Sequence, residues 1–191
     1  VSGLAGTGEL LDRLVQCSGR IPIISLVLGP VVGVSSLAAS LADFTILGED
    51  HGQLFLSSPL ETPEVIEGEI DAAGLGGASL HASRSGIACL IADDDEDACE
   101  MAAEIRGFLP DHNAAIAPFV ETADPTERLN PNLEALVPDN PNRPYDMVKV
   151  VEEIVDDGHF MELFESYADN IIIGFARLGG RTVGVIGNQP K

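Results

Sequence analysis

A glycine-bearing turn over residues 29–34 is the segment of this sequence whose residue types are best suited to chemistry. An apolar, β-branched run ends at Leu28, and a segment of small residues begins at Val34. A buried strand that leads through a tight turn into a helix leaves backbone N–H groups free at the start of the helix. Such groups can bind an anion, or an oxyanion that develops during a reaction, without any charged side chain. The spacing is also typical of an ordinary turn with solvated amides, so both interpretations stay open.

The residue patterns of the common catalytic machineries are absent or incomplete. Residues 33–37 come close to the G-x-S-x-G nucleophile turn, but Leu37 replaces the last glycine, which disfavours a serine hydrolase built on Ser35. Residues 74–77 lack the third glycine of a dinucleotide-binding fingerprint, and the sequence has neither a P-loop nor an H-E-x-x-H motif. Four histidines could serve as a base, although no pattern favours any one of them: His51, His81, His112 and His159.

The charge balance of the sequence excludes two classes of partner. The 191 residues include 31 Asp and Glu against 10 Lys and Arg, which gives a net charge of -21. A surface this acidic repels nucleic acids and anionic membranes, so we expect neither as a partner. The acids at 94–97 are expected to face solvent at the start of a helix, where the helix dipole favours them, rather than to bind a metal.

Cysteine usage and hydropathy indicate a cytoplasmic protein. Cys17, Cys89 and Cys99 show no C-x-x-C spacing, so neither a disulfide framework nor a cysteine-rich zinc site is predicted. Free thiols are typical of a reducing compartment. No apolar run reaches the roughly 18 residues that a membrane span needs. The sequence begins at Val1 without a methionine or a signal peptide, and we expect it to be cut from a longer chain.

Alternating strand and helix signals predict an α/β fold. Helices are expected at 7–19, with Thr7 as the N-cap, and at 34–42, 93–108 and 146–158. The helix at 34–42 is expected to be buried. Strands are expected at 21–28, before a turn at Gly29 and Pro30, and at 44–47, 53–56 and 86–92. The proline- and asparagine-rich stretch 110–144 predicts a long loop. Two strands around Gly179 and Gly180, at 171–177 and 182–186, predict a hairpin.

Four blocks of the sequence, in order along the chain, resemble one enzyme family. Residues 29–44, GPVVGVSSLAASLADF, resemble its glycine-rich segment, and residues 75–88, LGGASLHASRSGIA, resemble its Leu-Gly-Gly-Ala, His, Ser-Gly block. Residues 91–110 are similar to its acidic helix. Residues 137–190 are similar to the region from its Pro-Asp-Asn loop to its Asn-Gln-Pro ending. The family is the carboxyltransferase subunit of biotin-dependent acyl-CoA carboxylases, of the propionyl-CoA carboxylase β-chain type.

The resemblance implies a crotonase-like α/β fold, in which ββα units form a spiral of sheets with helices outside. Residues 1–145 would be the remainder of an N-terminal crotonase-like carboxyltransferase domain with its Pro/Asn-rich linker, and residues 146–191 the truncated start of the C-terminal carboxyltransferase domain. The family's Ser-Gly-Gly-Ala-Arg stretch is expected before Val1 and its second half after Pro190. Family active sites lie between the first half of one subunit and the second half of another. The isolated chain is therefore expected to hold half a site and to show no turnover.

The resemblance also implies a reaction and its residues. A carboxyl group would move from carboxybiotin to the α-carbon of a short acyl-CoA such as propionyl-CoA or acetyl-CoA, with backbone oxyanion holes stabilising the enolates. One such hole falls on Gly33 and Val34. Substrate contacts fall on Ser57, Ser58 and Pro59, where the family has Thr-Gly-Pro, and on Gly76, Gly77 and Ala78.

The implied cofactors and partners follow from that reaction. They are acyl-CoA as the substrate and biotin carried on another protein, not bound covalently to this chain, with no metal. The protein partners would be a biotin carboxyl carrier or biotin carboxylase subunit and further copies of the chain, as a dimer of half-sites or a hexamer.

Val34 departs from the family pattern and keeps other functions open. The family's second glycine lets the backbone approach the thioester, whereas valine keeps the N–H but adds a branched side chain that disfavours positive φ. One alternative is the carboxyltransferase subunit of a biotin-dependent acyl-CoA decarboxylase, which runs the transfer in the opposite direction. Another is a non-catalytic paralogue that acts as a scaffold, which Val34 favours. A crotonase-type hydratase would need paired glutamates, and the positions of Glu49 and Glu61 do not support it.

Overall fold

The first sheet of the computed structural model, which describes residues 2–60, 71–140 and 142–191, is parallel. It contains β1 (Ile24–Val27), β3 (Phe44–Gly48) and β5 (Leu90–Ala92) in the order β1-β3-β5. Ile46 and Leu47 are fully buried, as expected for a β-branched and apolar strand at the centre of a parallel sheet. The predicted strand 21–28 is shorter in the structure, because the amide of Ile23 donates to the Asp43 carboxylate and not to a neighbouring strand.

A second parallel sheet pairs β2 (Pro30–Val32) with β4 (Gln53–Phe55). In register, Val31 faces Leu54 and Val32 faces Phe55. The prediction of a turn at Gly29 and Pro30 is wrong, because Pro30 begins β2. Proline is accepted at the first residue of a strand, where its missing N–H breaks no ladder bond.

The first two helices differ from their predicted forms. The helix α1 (Ser2–Cys17) starts earlier than predicted. Thr7 lies within it and is not an N-cap, since its hydroxyl donates to the Gly3 carbonyl one turn earlier, at 2.9 Å. The helix α2 (Val34–Ser40) is confirmed, but the prediction that it is buried is wrong, because only Ser36 is buried and Leu37 is 45% exposed.

Two short helices and a π-helix follow the undescribed residues 61–70. These are α3 (Ala72–Gly76), α4 (Ala78–Leu80) and the π-helix His81–Ser85. Gly86 ends the π-helix in the left-handed conformation, with φ 65°. The predicted strand 86–92 begins only at Leu90, because the amides of Ile87 and Ala88 donate to the His81 carbonyl and not to a neighbouring strand.

The acidic helix and the long loop after it are confirmed. The Asp94 carboxylate caps α5 (Asp95–Phe108) by accepting from the amides of Glu96 and Asp97 at 2.9 Å each. The loop that follows contains α6 (Asn132–Leu136). It leads to α7 (Met147–Ile154), which is followed by a 3₁₀ turn at Asp156–Gly158. The helix predicted at 146–158 therefore ends earlier than expected.

An antiparallel sheet in the order β6-β7-β8 closes the described chain. Its strands are β6 (Phe160–Leu163), which the sequence analysis did not predict, β7 (Ile171–Leu178) and β8 (Arg181–Asn188). Gly179 and Gly180 join β7 to β8 with φ of 56° and 75°, which confirms the predicted hairpin.

One hydrophobic core joins the parallel sheet to the antiparallel sheet. It contains Ile46 and Phe108 from the first part of the chain together with Met161 and Leu163 from β6. The Phe108 ring stacks against Phe175 of β7 with 5.6 Å between ring centroids. A domain boundary at residue 145 stays a prediction, and extensive contacts cross it. No described helix is long and apolar enough to span a membrane.

Candidate functional site

Gly33 links β2 to α2 in a conformation that favours glycine. Its φ is 69° and its ψ is -130°. Its amide donates to the Phe55 carbonyl at 2.8 Å, so the hydrogen bonding between β2 and β4 continues through Gly33. Its carbonyl accepts from the amides of Ser36 and Leu37 at 3.1 and 3.3 Å. The Gly33 N–H is therefore engaged by the fold and is not available to a ligand.

Val34 begins α2, and its amide has no hydrogen-bond acceptor within the described ranges. The same holds for the amide of Ser35, as expected for the first N–H groups of a helix. Of the two residues implied as catalytic, Val34 alone keeps a free N–H. Its side chain is 37% exposed, so it does not pack into the core.

The parallel pairing of β2 and β4 brings Leu56, the residue before Ser57, near Gly33. Parallel strands end at the same edge of a sheet, and Leu56 follows β4 directly, just as Gly33 follows β2. A Cβ built on Gly33 would lie 4.0 Å from the carbonyl oxygen of Leu56. Ser57, Ser58 and Pro59 come next in the chain, and their part in substrate binding stays a prediction.

Gly76, Gly77 and Ala78 lie against the other edge of β4 and are buried. A Cβ at Gly76 would clash with the Leu54 carbonyl, and a Cβ at Gly77 would lie 2.6 Å from the Ala73 oxygen. Glycine is needed at both positions because α3 and α4 approach other backbone this closely. The part of these three residues in substrate binding stays a prediction. Glu61, which the hydratase alternative would use, lies outside the described residues.

His81 is better placed than the sequence analysis suggested. Its side chain is 8% exposed, with Nδ1 2.9 Å from the Ser85 hydroxyl and Nε2 3.0 Å from the Leu54 carbonyl oxygen. The local sequence offers one sign of this role, a serine four residues after the histidine with a glycine directly after that serine. The partner carbonyl is 27 residues away, and no pattern near His81 indicates it.

The buried thiol of Cys89 is unsuited to nucleophilic chemistry. Burial raises its pKa to about 11, and it donates to the Thr45 carbonyl at 3.2 Å. It therefore stays protonated at neutral pH, whereas the thiolate is the reactive form. Over the described ranges, no group of three or more His, Cys, Asp or Glu side chains is arranged to hold a metal ion.

Comparison with known proteins places the whole sequence in one family. The family model described as the carboxyl transferase domain matches residues 1–191. The mitochondrial propionyl-CoA carboxylase beta chain of Sus scrofa is 42% identical over 191 residues, which are 100% of this chain and 35% of that protein. The methylmalonyl-CoA decarboxylase subunit alpha of Veillonella parvula is 40% identical over 191 residues, which are 100% of this chain and 38% of that protein. The chain thus spans little more than a third of the length of these relatives.

A solved structure supports the fold in detail. Transcarboxylase 12S, described as a hexamer assembly with methylmalonyl-coenzyme A and methylmalonic acid bound, matches with a TM-score of 0.92 and 34% sequence identity. The match covers 98% of this chain and 36% of that one. This likeness, with the parallel sheets and the helices between their strands, confirms the predicted α/β crotonase-like fold.

Proposed function

The chain belongs to the carboxyl transferase domain family, and we propose that it is part of the carboxyltransferase component of a biotin-dependent acyl-CoA carboxylase. The full protein would transfer a carboxyl group from carboxybiotin to the α-carbon of a short acyl-CoA, such as propionyl-CoA or acetyl-CoA. The relatives named as propionyl-CoA carboxylase beta chains support this substrate class. The observation that carries the proposal is the free Val34 amide at the start of α2, beside a Gly33 amide that the fold already uses.

The Val34 amide suits the most demanding part of this reaction. Removal of the α-proton beside a thioester places negative charge on the thioester oxygen. A backbone N–H aimed at that oxygen stabilises the enolate, and loss of one such donor typically lowers the rate by about 10²–10³. The Gly33–Phe55 hydrogen bond would fix the backbone just before Val34, so the donor needs no rearrangement when the charge develops.

Biotin enters this chemistry from a partner protein. Carboxybiotin would release its carboxyl group as CO2, which would form the new bond to the α-carbon, and the biotin ureido group left behind would take up the α-proton. We assign the free amides of residues 34 and 35 to the oxyanion of the acyl-CoA. Ser57, Ser58 and Pro59 would contact the acyl-CoA beside Gly33. Gly76, Gly77 and Ala78 would support the site by packing against β4. Because they are buried, we expect them to act through their backbone.

The assembly and location of the full protein complete the proposal. We infer a cytoplasmic homo-oligomer that meets a biotin carboxyl carrier or biotin carboxylase subunit. The hexameric 12S relative supports an assembly of several copies. Nucleic acids and membranes, which the acidic charge of the sequence excludes as partners, have no part in this proposed assembly.

Two other functions remain as alternatives. A decarboxylase subunit would use the same oxyanion site in the opposite direction, and the relatives named methylmalonyl-CoA decarboxylase subunit alpha favour it. A non-catalytic paralogue would have lost turnover, and the valine at position 34 favours that alternative.

Carboxyl exchange between a labelled acyl-CoA and free biotin distinguishes an active protein from a scaffold. The full-length protein would be incubated with methylmalonyl-CoA or malonyl-CoA that carries a radiolabelled carboxyl group, and label in carboxybiotin would be counted. We expect transfer from methylmalonyl-CoA. No transfer from either compound would support the scaffold. Net carboxylation of propionyl-CoA by the assembled enzyme, driven by ATP and bicarbonate, would separate a carboxylase from a decarboxylase.

A further inference from the structure

The imidazole of His81 connects the π-helix to the strand that holds the Gly33 amide. Its Nε2 lies 3.0 Å from the carbonyl oxygen of Leu54, which is in β4. The next residue of β4, Phe55, accepts from the Gly33 amide at 2.8 Å. His81 is therefore separated from the backbone that precedes Val34 by one strand and two hydrogen bonds.

The direction of these bonds follows from the geometry of a strand. Successive carbonyl groups of a strand point to opposite edges. The Phe55 carbonyl points toward β2, where Gly33 donates to it, so the Leu54 carbonyl points toward the edge that has no strand beside it. His81 supplies the donor at that edge, where a buried carbonyl without a partner would cost free energy. His81 thus helps to hold β4 between β2 and the π-helix, together with the bridge between Gln53 and Gly77.

The tautomer of His81 is determined by its partners. A carbonyl oxygen only accepts, so Nε2 carries the proton and donates to Leu54. In the neutral ring Nδ1 is then an acceptor for the hydroxyl of Ser85, at 2.9 Å. The π-helix brings that hydroxyl into place, and the side chain of His81 is 8% exposed, so both bonds are protected from water.

We propose that His81, through its Nε2–H···O=C bond to Leu54, is a positioning residue for the Val34 amide. The inference rests on the proposed function, because it assigns His81 a part in holding the donor of the acyl-CoA oxyanion site. His81 does not touch the substrate. It fixes β4, β4 fixes the Gly33 amide, and Gly33 sets the direction of the N–H of the residue that follows it.

A pair of amide substitutions in the full-length protein separates the two ring nitrogens. His81→Gln places an amide nitrogen near the position of Nε2 and keeps a donor for Leu54. His81→Asn places its amide near the position of Nδ1 and loses that donor. A misplacement of about 1 Å in a catalytic group can lower the rate about 10²-fold. We expect Asn to lower kcat for carboxyl transfer by about 10- to 100-fold with little change in KM, and Gln to keep kcat within about threefold.

Hydrogen exchange at Gly33 gives a second readout that does not depend on catalysis. We expect the Gly33 amide, protected by Phe55, to exchange faster in His81→Asn than in the wild type or His81→Gln. Ile105→Val, at a buried position of α5, is the control for a general loss of stability. If it lowers Tm as much as His81→Asn does, it should still leave kcat and Gly33 exchange unchanged.

The outcomes separate this inference from the proposed function. Equal kcat in the Asn and Gln variants, or Gly33 exchange that is the same in both, would overturn the positioning role. A loss of kcat in Ile105→Val that matches the Asn variant would also overturn it. If the wild type itself transfers no carboxyl group, the proposed function fails. The Gly33 exchange rates would then still support or overturn the link from His81 to Gly33.

Discussion

Val34, the first residue of α2, matters through both its amide and its side chain. The amide has no partner in the described structure, and the side chain is 37% exposed. A valine that packed into the core would affect stability, whereas an exposed valine at this position affects whatever binds beside the amide. In the proposed function, that is the acyl group of the substrate.

We expect Val34→Gly in the full-length protein to raise kcat/KM, most for the bulkiest acyl-CoA. The substitution keeps the N–H and removes the isopropyl group, and a methylene of misfit is worth about 1–3 kcal/mol in discrimination. Rates with acetyl-, propionyl- and butyryl-CoA, measured side by side, test this. Val137→Gly is the matched control, because Val137 is 42% exposed and follows α6, away from the site. An unaltered ratio among the three substrates would contradict the prediction.

Gly33→Ala should lower both stability and activity. The new Cβ would meet no close atom, but a φ of 69° with a ψ of -130° is a conformation that alanine rarely adopts. Such strain lowers the free energy of unfolding by about 1–3 kcal/mol. If the backbone rotates to relieve it, the Val34 amide turns away from the proposed oxyanion site. Urea unfolding measures the loss of stability, and carboxyl exchange between labelled acyl-CoA and biotin measures the loss of activity. Gly29→Ala is the control, since its Cβ would also have space, and its φ is not positive. Equal stability of the two variants would show that Gly33 is unstrained.

Among the elements, those with a complete local signal were predictable. The hairpin of β7 and β8 follows from two glycines between β-branched runs, and α5 follows from the acids at 94–97 that mark the start of a helix. The strands β2 and β6 were missed because they have three and four residues and form only through partners elsewhere in the chain. The same reason explains the site. The turn that holds Val34 has a local pattern, whereas His81 matters through a carbonyl far away in the sequence.

The N-terminus of α7 is tied to the end of β8 by Asp146. Its carboxylate caps α7 through the Val148 amide and accepts from the side chains of Gln189 and Lys191. Hydrogen bonds from Gln189 and then Lys191 are the main causes that lower its pKa from the ordinary value of 3.8. A carboxyl whose folded pKa lies below its unfolded pKa stabilises the fold above the unfolded value, and that stability is lost as pH falls through the folded value.

Asp146→Asn should therefore reduce the loss of stability as the pH falls below the ordinary pKa of 3.8. At neutral pH the variant is expected to be less stable than the wild type, and the difference should shrink as the pH falls, because the wild-type carboxylate becomes protonated. Unfolding by urea across this pH range measures the effect. Asp139→Asn, at an exposed position in the loop before α7, is the control. A stability difference that does not change with pH would contradict the role of Asp146.

At the scale of the whole molecule, apolar side chains remain on the surface of the antiparallel sheet and α7. Part of the apolar surface of these elements is covered, because α7 and β7 contribute Val151 and Ile172 to one buried cluster. The large hydrophobic side chains that stay exposed there are Ile154 at 49%, Ile171 at 47%, Leu178 at 42% and Ile186 at 81%.

We expect the protein to self-associate at micromolar concentration, because exposed apolar surface of this kind usually marks an interface. Light scattering should give a mass of at least twice that of the chain. Ile186→Lys should reduce the mass, whereas Leu129→Lys, at a position that is 95% exposed in the long loop, is the control. A compact monomer would contradict this expectation.

The core shared by the parallel and antiparallel sheets has a consequence for how the molecule folds. Phe108 and Phe175 stack directly, and β6 contributes Met161 and Leu163 to the core of the first sheet. Neither sheet can lose this contact without exposing apolar side chains of the other, so the two unfold as one cooperative unit. A boundary drawn at residue 145 would thus divide the sequence without dividing the stability. We expect a protease to find no stable fragment on either side of that boundary, and a substitution in the core beneath β6 to weaken the first parallel sheet as much as the hairpin.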